Sequence, residues 1–220
     1  MRSFTPPDIT RAGVGTILIS PWLVGSAERQ RAAITATLDA WENNPWPEGF
    51  ISLNCFVSGD GSTVLNYAQW SCDEAHHAFV RDARPRLVRP IDEAVPGITR
   101  PGVVRYRLYG GGIASKSVTP GCFVFVDAQA DSALQARAWV DEAFAALRSQ
   151  DEPVPGLIAT HFHWSEQSSR VFTYTEWTSV RDQVAATANQ LFSWRQVCDF
   201  SRVKPISVNR FHYHSSVVRA

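Results

Sequence analysis

Hydrophobic and polar positions along the chain set out one series of elements and then set it out again. The short apolar run Thr16-Ile-Leu-Ile-Ser20 has the length and composition of a buried strand, and Cys122-Phe-Val-Phe-Val126 repeats it. Ser26 and Ser132 stand where a helix N-cap belongs, each ahead of alanine and a polar-apolar mixture. Behind them Ile34, Leu38 and Trp41 fall at i, i+4 and i+7, as do Val140, Phe144 and Leu147, so each half predicts a helix with one apolar stripe. Pro47-Glu-Gly49 and Val154-Pro-Gly156 then turn the chain. Strand-like runs over 50–57 and 157–164 lead through Ser58-Gly-Asp-Gly-Ser62 and Ser165-Glu-Gln-Ser-Ser169 into runs over 63–70 and 170–177, a hairpin in each half. Ser71, with Glu74 three residues on, predicts a capping box that opens a second helix, and Thr178 opens its counterpart. A last strand is expected near 103–109 and again near 207–214, with residues 84–102 and Gly110-Gly-Gly112 as irregular connections.

The repetition extends to identities. Gly49/Gly156, Ile51/Ile158, Ser58/Ser165, Val64/Val171, Tyr67/Tyr174 and Trp70/Trp177 match at a constant offset of 107 residues. Upstream, Gly15/Gly121, Ser26/Ser132, Arg31/Arg137 and Ala40/Ala146 match at 106. A period this long marks a duplicated domain, since solenoid units are roughly 20–50 residues. The expected fold class is α+β, as two tandem ferredoxin-like β-α-β-β-α-β domains over 1–112 and 113–220. Helices on one face of each antiparallel sheet leave the other face apolar. The sheets are therefore expected to pack face to face as an intramolecular α+β barrel, further homo-oligomerisation being left open.

Composition narrows the partners. The formal net charge is +0 over 220 residues, so no global field draws the chain to nucleic acid or an anionic membrane. Cys55, Cys72, Cys122 and Cys198 show no Cys-x-x-Cys spacing and read as free thiols of a reducing compartment. The first residues lack a signal peptide's apolar run and no stretch has the ~20 apolar residues of a membrane span, so a soluble, cytoplasmic protein is expected. Phosphate loops, nucleophile elbows and dinucleotide fingerprints are absent from the sequence.

The chemistry-bearing residues gather near the first hairpin. Asn66, Ala68 and Trp70 share strand parity and face one side, with Leu65, Tyr67 and Gln69 on the other. Trp70 and Trp177 also read as core aromatics, because both halves carry them. Asn66 is harder to explain as packing: an inward amide must find partners or lose its hydration uncompensated. Small Ala68, between amide and indole, leaves room for a flat ligand. His76 and His77 point about 100° apart on a helix, so one at most faces inward; neighbouring Ala75 and Phe79 favour His76. An inward imidazole, with an unperturbed pKa near ~6.5, is a candidate base for a phenol. His161/His163 and His212/His214 invite a metal hypothesis, but their strands are opposite edges of a ferredoxin-like sheet. No metal site is expected, and the pairs read as cross-strand partners at the seam between halves. Arg84, Arg86 and Arg89 read as a solvated loop from which one arginine reaches over a pocket mouth.

The order of elements, together with Gly49-Phe-Ile-Ser52 and Val64-Leu-Asn-Tyr-Ala-Gln-Trp-Ser-Cys-Asp-Glu-Ala75, resembles the antibiotic biosynthesis monooxygenase superfamily. The resemblance covers nearly the whole chain as two copies of a unit that elsewhere dimerises. It is strongest toward the cofactor-independent oxygenases that turn a phenolic ring of an aromatic polyketide into a quinone. It implies a small aromatic substrate, dioxygen and no cofactor. It carries pocket hydrogen-bond donors onto Asn66 and Trp70, a tyrosine position onto His76 and a helix-end arginine onto Arg86 or Arg89. In the second half Trp177 survives, but Thr173 replaces the asparagine. The expected catalytic residues are thus Asn66, Trp70 and His76, with Arg86, Ala68 and Trp177 binding substrate. Two alternatives follow from the same resemblance. One is a non-catalytic protein that binds small aromatics or assembles. The other is haem degradation, which would require an axial histidine near Val80 or Thr187, where none stands.

Overall fold

The computed structural model describes residues 1–113, 118–149, 153–189 and 202–219. It is an α+β fold of ferredoxin-like topology in two compact units, Met1–Arg105 with Tyr213–Ala220, and Tyr106–His212. The sequence division at 112/113 falls elsewhere because the last strand of each half begins in one unit and ends in the other.

In the first unit, β1 (Arg2–Ser3), β2 (Thr16–Leu23), β3 (Phe50–Ser58) and β4 (Thr63–Trp70) form an antiparallel sheet with helices α1 (Ala27–Glu42), α2 (Asp73–Asp82) and α3 (Arg84–Ala94). β4 lies between β2 and β3, and Tyr213–Val218 of β9 (Val203–Val218) supplies β1's partner, pairing Val217 with Arg2 and Ser216 with Ser3. The second unit holds β5 (Val104–Ile113) from Tyr106 on, β6 (Cys122–Ala130), β7 (Leu157–Ser165), β8 (Arg170–Trp177) and β9 through His212, in the order β5-β7-β8-β6-β9. Its helices are α4 (Ala133–Arg148) and α5 (Val180–Ala188).

The matched residues carry the same physical duties in both units. Ser26 Oγ accepts from the Arg29 amide at 3.3 Å and Ser132 Oγ from the Gln135 amide at 3.2 Å, so both first helices are capped as expected. Gly49 and Gly156 turn at φ 73° and 80°, where a Cβ would also fall 2.4 Å from Ser71 Oγ or 2.5 Å from Asp182 Cβ. In the hairpin loop Asp60 accepts from Ser58 Oγ and Ser62 N, which holds the tight turn.

Several expectations fail for identifiable reasons. Ser71 does not cap α2: the N-cap is Cys72, without a side-chain cap bond. Ser179, not Thr178, caps α5, accepting from the Asp182 amide at 3.1 Å. Residues 84–94 are helix α3, with Pro85 in its first turn, where a missing N–H costs nothing, and Pro90 inside it. Leu87 and Ile91, one turn apart, are its buried stripe. Gly110, Gly111 and Gly112 continue β5 opposite Phe162, His161 and Thr160, beside a register shift after Leu108; at Gly111 a Cβ would lie 2.4 Å from His161 Nδ1.

The face of β3 and β4 turned away from the helices is not uniformly apolar. Ser52 Oγ donates to Gln69 Oε1 at 2.7 Å and Asn54 Nδ2 to Ser52 Oγ at 2.9 Å, both buried, and Gln69 Nε2 donates to the Asp8 carbonyl at 2.8 Å in part-buried surroundings. No helix among the described residues is long and apolar enough to cross a membrane. Cys55 and Cys122 are buried thiols and Cys72 a partly exposed one; Cys198 lies outside the described residues.

Candidate functional site

β4 determines what faces the helices of the first unit. Paired antiparallel with both β2 and β3, it turns alternate side chains of 66, 68 and 70 to one side. α2 follows at once and presents its buried residues His76 and Phe79 to that side. α3 adds Leu87 and Ile91. Between them lies a cavity of about 390 Å³, within the range of small-molecule sites.

Its walls are largely apolar: Leu18, Trp41, Leu53, Ala68, Trp70 and Phe79 face it. The Trp41 and Trp70 ring centroids lie 6.5 Å apart, and those of Trp70 and Phe79 5.1 Å apart. Small Ala68 keeps the space between Asn66 and Trp70 open. Asn66 is 4% exposed and its Oδ1 receives the Cys55 thiol at 3.6 Å, while Nδ2 is buried with no hydrogen-bond partner. Such an orphaned donor costs on the order of 1–3 kcal/mol, and because Asn66 lines the cavity, a ligand oxygen that reached this amide would satisfy it.

His76 faces inward and His77 is exposed. The His76 ring meets Trp70 edge-on at 5.3 Å between centroids. Its Nδ1 lies 2.9 Å from Arg105 Nη2. A guanidinium only donates, so Nδ1 is the acceptor and the neutral ring carries its proton on Nε2. Burial pushes the imidazole pKa down to about 4, and the charges of Arg105, His77 and Arg84 add to that effect. His76 is therefore neutral near pH 7.

Arginine supplies the formal charge on the lining. Arg84, Arg100 and Arg105 line the cavity, and no Asp or Glu does so among the described residues. Arg100 donates to Asp92 at 2.7 Å and stacks 4.5 Å from the Trp22 ring centre. Among the described residues Arg105 has no carboxylate partner, and its Nε is buried and unpartnered.

Of the residues singled out from sequence, Asn66, Ala68, Trp70 and His76 meet in this cavity. Arg86 does not: it is exposed on α3, and Arg84, also exposed but two residues earlier and about 200° round the helix, is the one that edges the cavity. Arg89 is also exposed and pairs with Glu93. Trp177 is buried in the second unit's core beside Cys122, Val124 and Ala186. His163 is buried with Nδ1 3.3 Å from the Phe172 carbonyl, and His212 Nδ1 lies 3.0 Å from the Gly121 carbonyl. No group of three or more His, Cys, Asp or Glu able to hold a metal gathers among the described residues. Sequence reasoning missed Arg100 and Arg105, because an arginine in a connection or at a strand's start gives no local sign of which cavity it meets.

The fold and cavity together define a ferredoxin-like α+β protein with an apolar pocket edged by arginine. No protein-family model and no curated protein matches the sequence. Solved structures share the fold. An anthrone oxidase-like protein superposes with a TM-score of 0.68 at 13% identity, over 92% of this chain and 93% of that one. A mutant chlorite dismutase from Candidatus Nitrospira defluvii gives 0.57 at 9%, over 94% and 92%. An uncharacterised ferredoxin-fold protein from Listeria monocytogenes, related to antibiotic biosynthesis monooxygenases, gives 0.51 at 12%, over 94% and 99%. At these identities the likeness is one of fold.

Proposed function

We propose that the protein is a monooxygenase that oxidises a phenolic ring of a polycyclic aromatic, polyketide-like substrate to a quinone with dioxygen, without added cofactor. The observation that carries this reading is the buried, unpartnered Asn66 Nδ2 in an aromatic cavity of about 390 Å³. The fold shared with an anthrone oxidase-like protein supports this reading.

The balance of the reaction is simple. The ionised phenol gives one electron to dioxygen, and the radical pair recombines to form a ring-carbon–oxygen bond as a peroxide. Loss of water then leaves the second carbonyl, so one oxygen atom enters the ring and the other leaves as water. The protein must stabilise the aromatic oxyanion and keep water from the radical pair. Asn66 Nδ2 donates to the oxyanion, Trp70 stacks on and orients the ring, and Ala68 leaves the ring its space. His76 contributes as a donor through Nε2, a change from the base expected of it, since Arg105 already occupies Nδ1.

Oxygen consumption with a panel of anthrones and hydroxylated naphthacenones, without metal or organic cofactor, tests the proposal. Consumption with quinone formation that falls in Asn66→Ala is the expected result; no consumption by the folded protein across the panel would refute it. The haem-degrading alternative gains nothing from the cavity, where Val80 stands at one of the positions expected for an axial histidine.

A further inference from the structure

We propose that this cavity selects its aromatic ligand as an anion, with Arg105 as the residue that receives the anionic oxygen. The inference rests on the reading above only in taking the cavity as a site for flat aromatic rings, and it requires no turnover.

Three observations carry it. First, the lining is electrostatically one-sided: three arginines and no carboxylate among the described residues face a largely apolar space. Arg84 is exposed to water, but the partly buried Arg105 is less fully hydrated and gains more from a counter-charge brought by the ligand. Second, the arginines are not equivalent. Arg100, whose Nε is likewise a buried donor without an acceptor, already holds Asp92 at 2.7 Å, so its charge is matched within the protein. Among the described residues Arg105 has only the neutral His76 ring as partner, through Nη2, and its Nε is a buried donor without an acceptor. Third, that single bond makes a device of the pair. It holds the guanidinium in place, occupies the lone pair with which His76 would take a proton, and leaves a ring that can donate but not accept. Together with Asn66 Nδ2, the polar side of the cavity offers donors and positive charge, a set matched to a carboxylate or phenolate oxygen rather than to a neutral carbonyl or an amine.

Binding to the full chain, followed by quenching of tryptophan fluorescence, tests the proposal directly, because Trp41 and Trp70 line the cavity. The probes are anthracene-2-carboxylate and its methyl ester, equal in ring, the first anionic and the second neutral. The acid should bind roughly 10- to 100-fold more tightly than the ester near neutral pH, the usual worth of a charge-assisted hydrogen bond. Arg105→Met should erase that preference while leaving the ester's affinity within a few-fold, which also shows that the cavity survives the substitution. Arg105→Lys should keep part of the preference, and Arg89→Gln, on the exposed face of α3, should keep all of it. A hydroxyanthrone titrated through its own ionisation separates phenolate from carboxylate: tightening on ionisation that depends on Arg105 assigns the anion to the phenol. Equal affinity of acid and ester for the native protein would overturn the proposal. So would a folded Arg105→Met that keeps the preference. An acid preference without oxygen consumption would sink the oxygenase reading and leave this one standing.

Discussion

The two units are copies of one design in which the frame has stayed and the polar side chains around it have changed. Trp70 and Trp177 end equivalent strands and are each 1% exposed, Tyr67 and Tyr174 are each fully buried, and Gly49 and Gly156 turn at similar positive φ. One strand position away, the copies part. Asn66 becomes Thr173, Ala68 becomes Thr175, Gln69 becomes Glu176 and His76 becomes Gln183. Their local bonding differs as well. His76 meets Arg105 in a cavity-lining pair, while Gln183 Oε1 accepts from Arg210 at 2.5 Å and its Nε2 donates to Thr187 Oγ1 at 2.9 Å. In the second unit Gln183 is satisfied by Arg210 and Thr187 while the Thr173 and Thr175 hydroxyls are buried without partners among the described residues; in the first, Asn66 and His76 line a cavity. Packing requirements act on every copy of a fold, whereas a binding site needs to persist in only one.

The largest test of the frame is removal of residues 213–220. Val217, Ser216 and Ser215 are fully buried in the first unit, and Val217 belongs to its core beside Trp41, Phe50 and Trp70. Truncation after His212 should uncover that core and strip β1 of its partner. The first unit should then fail to fold cooperatively, seen as loss of its thermal transition and appearance of hydrophobic-dye binding. A truncated chain with an unchanged melting profile would mean that β9's final residues are dispensable.

The chemical asymmetry comes next in size. Asn66→Ala removes the orphaned amide and should lower kcat/KM by about 2–4 kcal/mol, the usual cost of one oxyanion donor. Thr173→Ala, at the equivalent place in the second unit, should leave it nearly unchanged. Equal losses at both positions would show that both units work, and no loss at either would hand the case to a binding protein. Trp70→Phe keeps most of the ring packing and tests whether the indole does more than fill space.

What sequence could and could not reveal follows the same division. The strands, the first helix of each half and both hairpins were readable because periodicity and glycine placement are local properties. Asn66, Ala68 and Trp70 were legible as one face of a strand, and His76 as its neighbour on the next helix. The cation set was not. Helix α3 was hidden by Pro85 and Pro90, although Leu87 and Ile91 carried its stripe, and without that helix Arg84 could not be told from Arg86. Arg105 lies at the start of β5, whose later residues belong to the other unit, and only the folded chain brings its guanidinium to His76. Pairings distant in sequence leave no periodic trace.

A matched pair of glycine substitutions probes the frame itself. Gly49→Ala and Gly156→Ala each force a left-handed backbone on an L-residue and press a Cβ to within 2.4 or 2.5 Å of a neighbour. Each should cost roughly 1–3 kcal/mol in chemical denaturation. The two losses should be alike, and a large difference would show that the shared turn is under different constraint in the two units.

The smallest effect separates Gln69 from Glu176, equivalent strand positions that differ by one ionisable group. Gln69 is satisfied by Ser52 and Asp8, while burial pushes the Glu176 carboxyl up from its ordinary 4.5 to about 7, against a lowering hydrogen bond from Tyr174. The folded chain therefore holds this proton where the unfolded chain has released it, and between those two values the native state binds more protons. Stability from this group is fully present below about pH 4.5 and declines as pH rises through about 7, a negative slope worth on the order of 1–3 kcal/mol in total. Glu176→Gln should abolish that slope and raise the melting temperature at pH 8 while changing little at pH 4.5. The reverse exchange, Gln69→Glu, should introduce the same slope into the first unit and lower stability above neutrality. If Glu176→Gln is equally stable or less stable at pH 8, the carboxyl is held ionised by a partner that offsets its burial, and the two positions differ less than their side chains do.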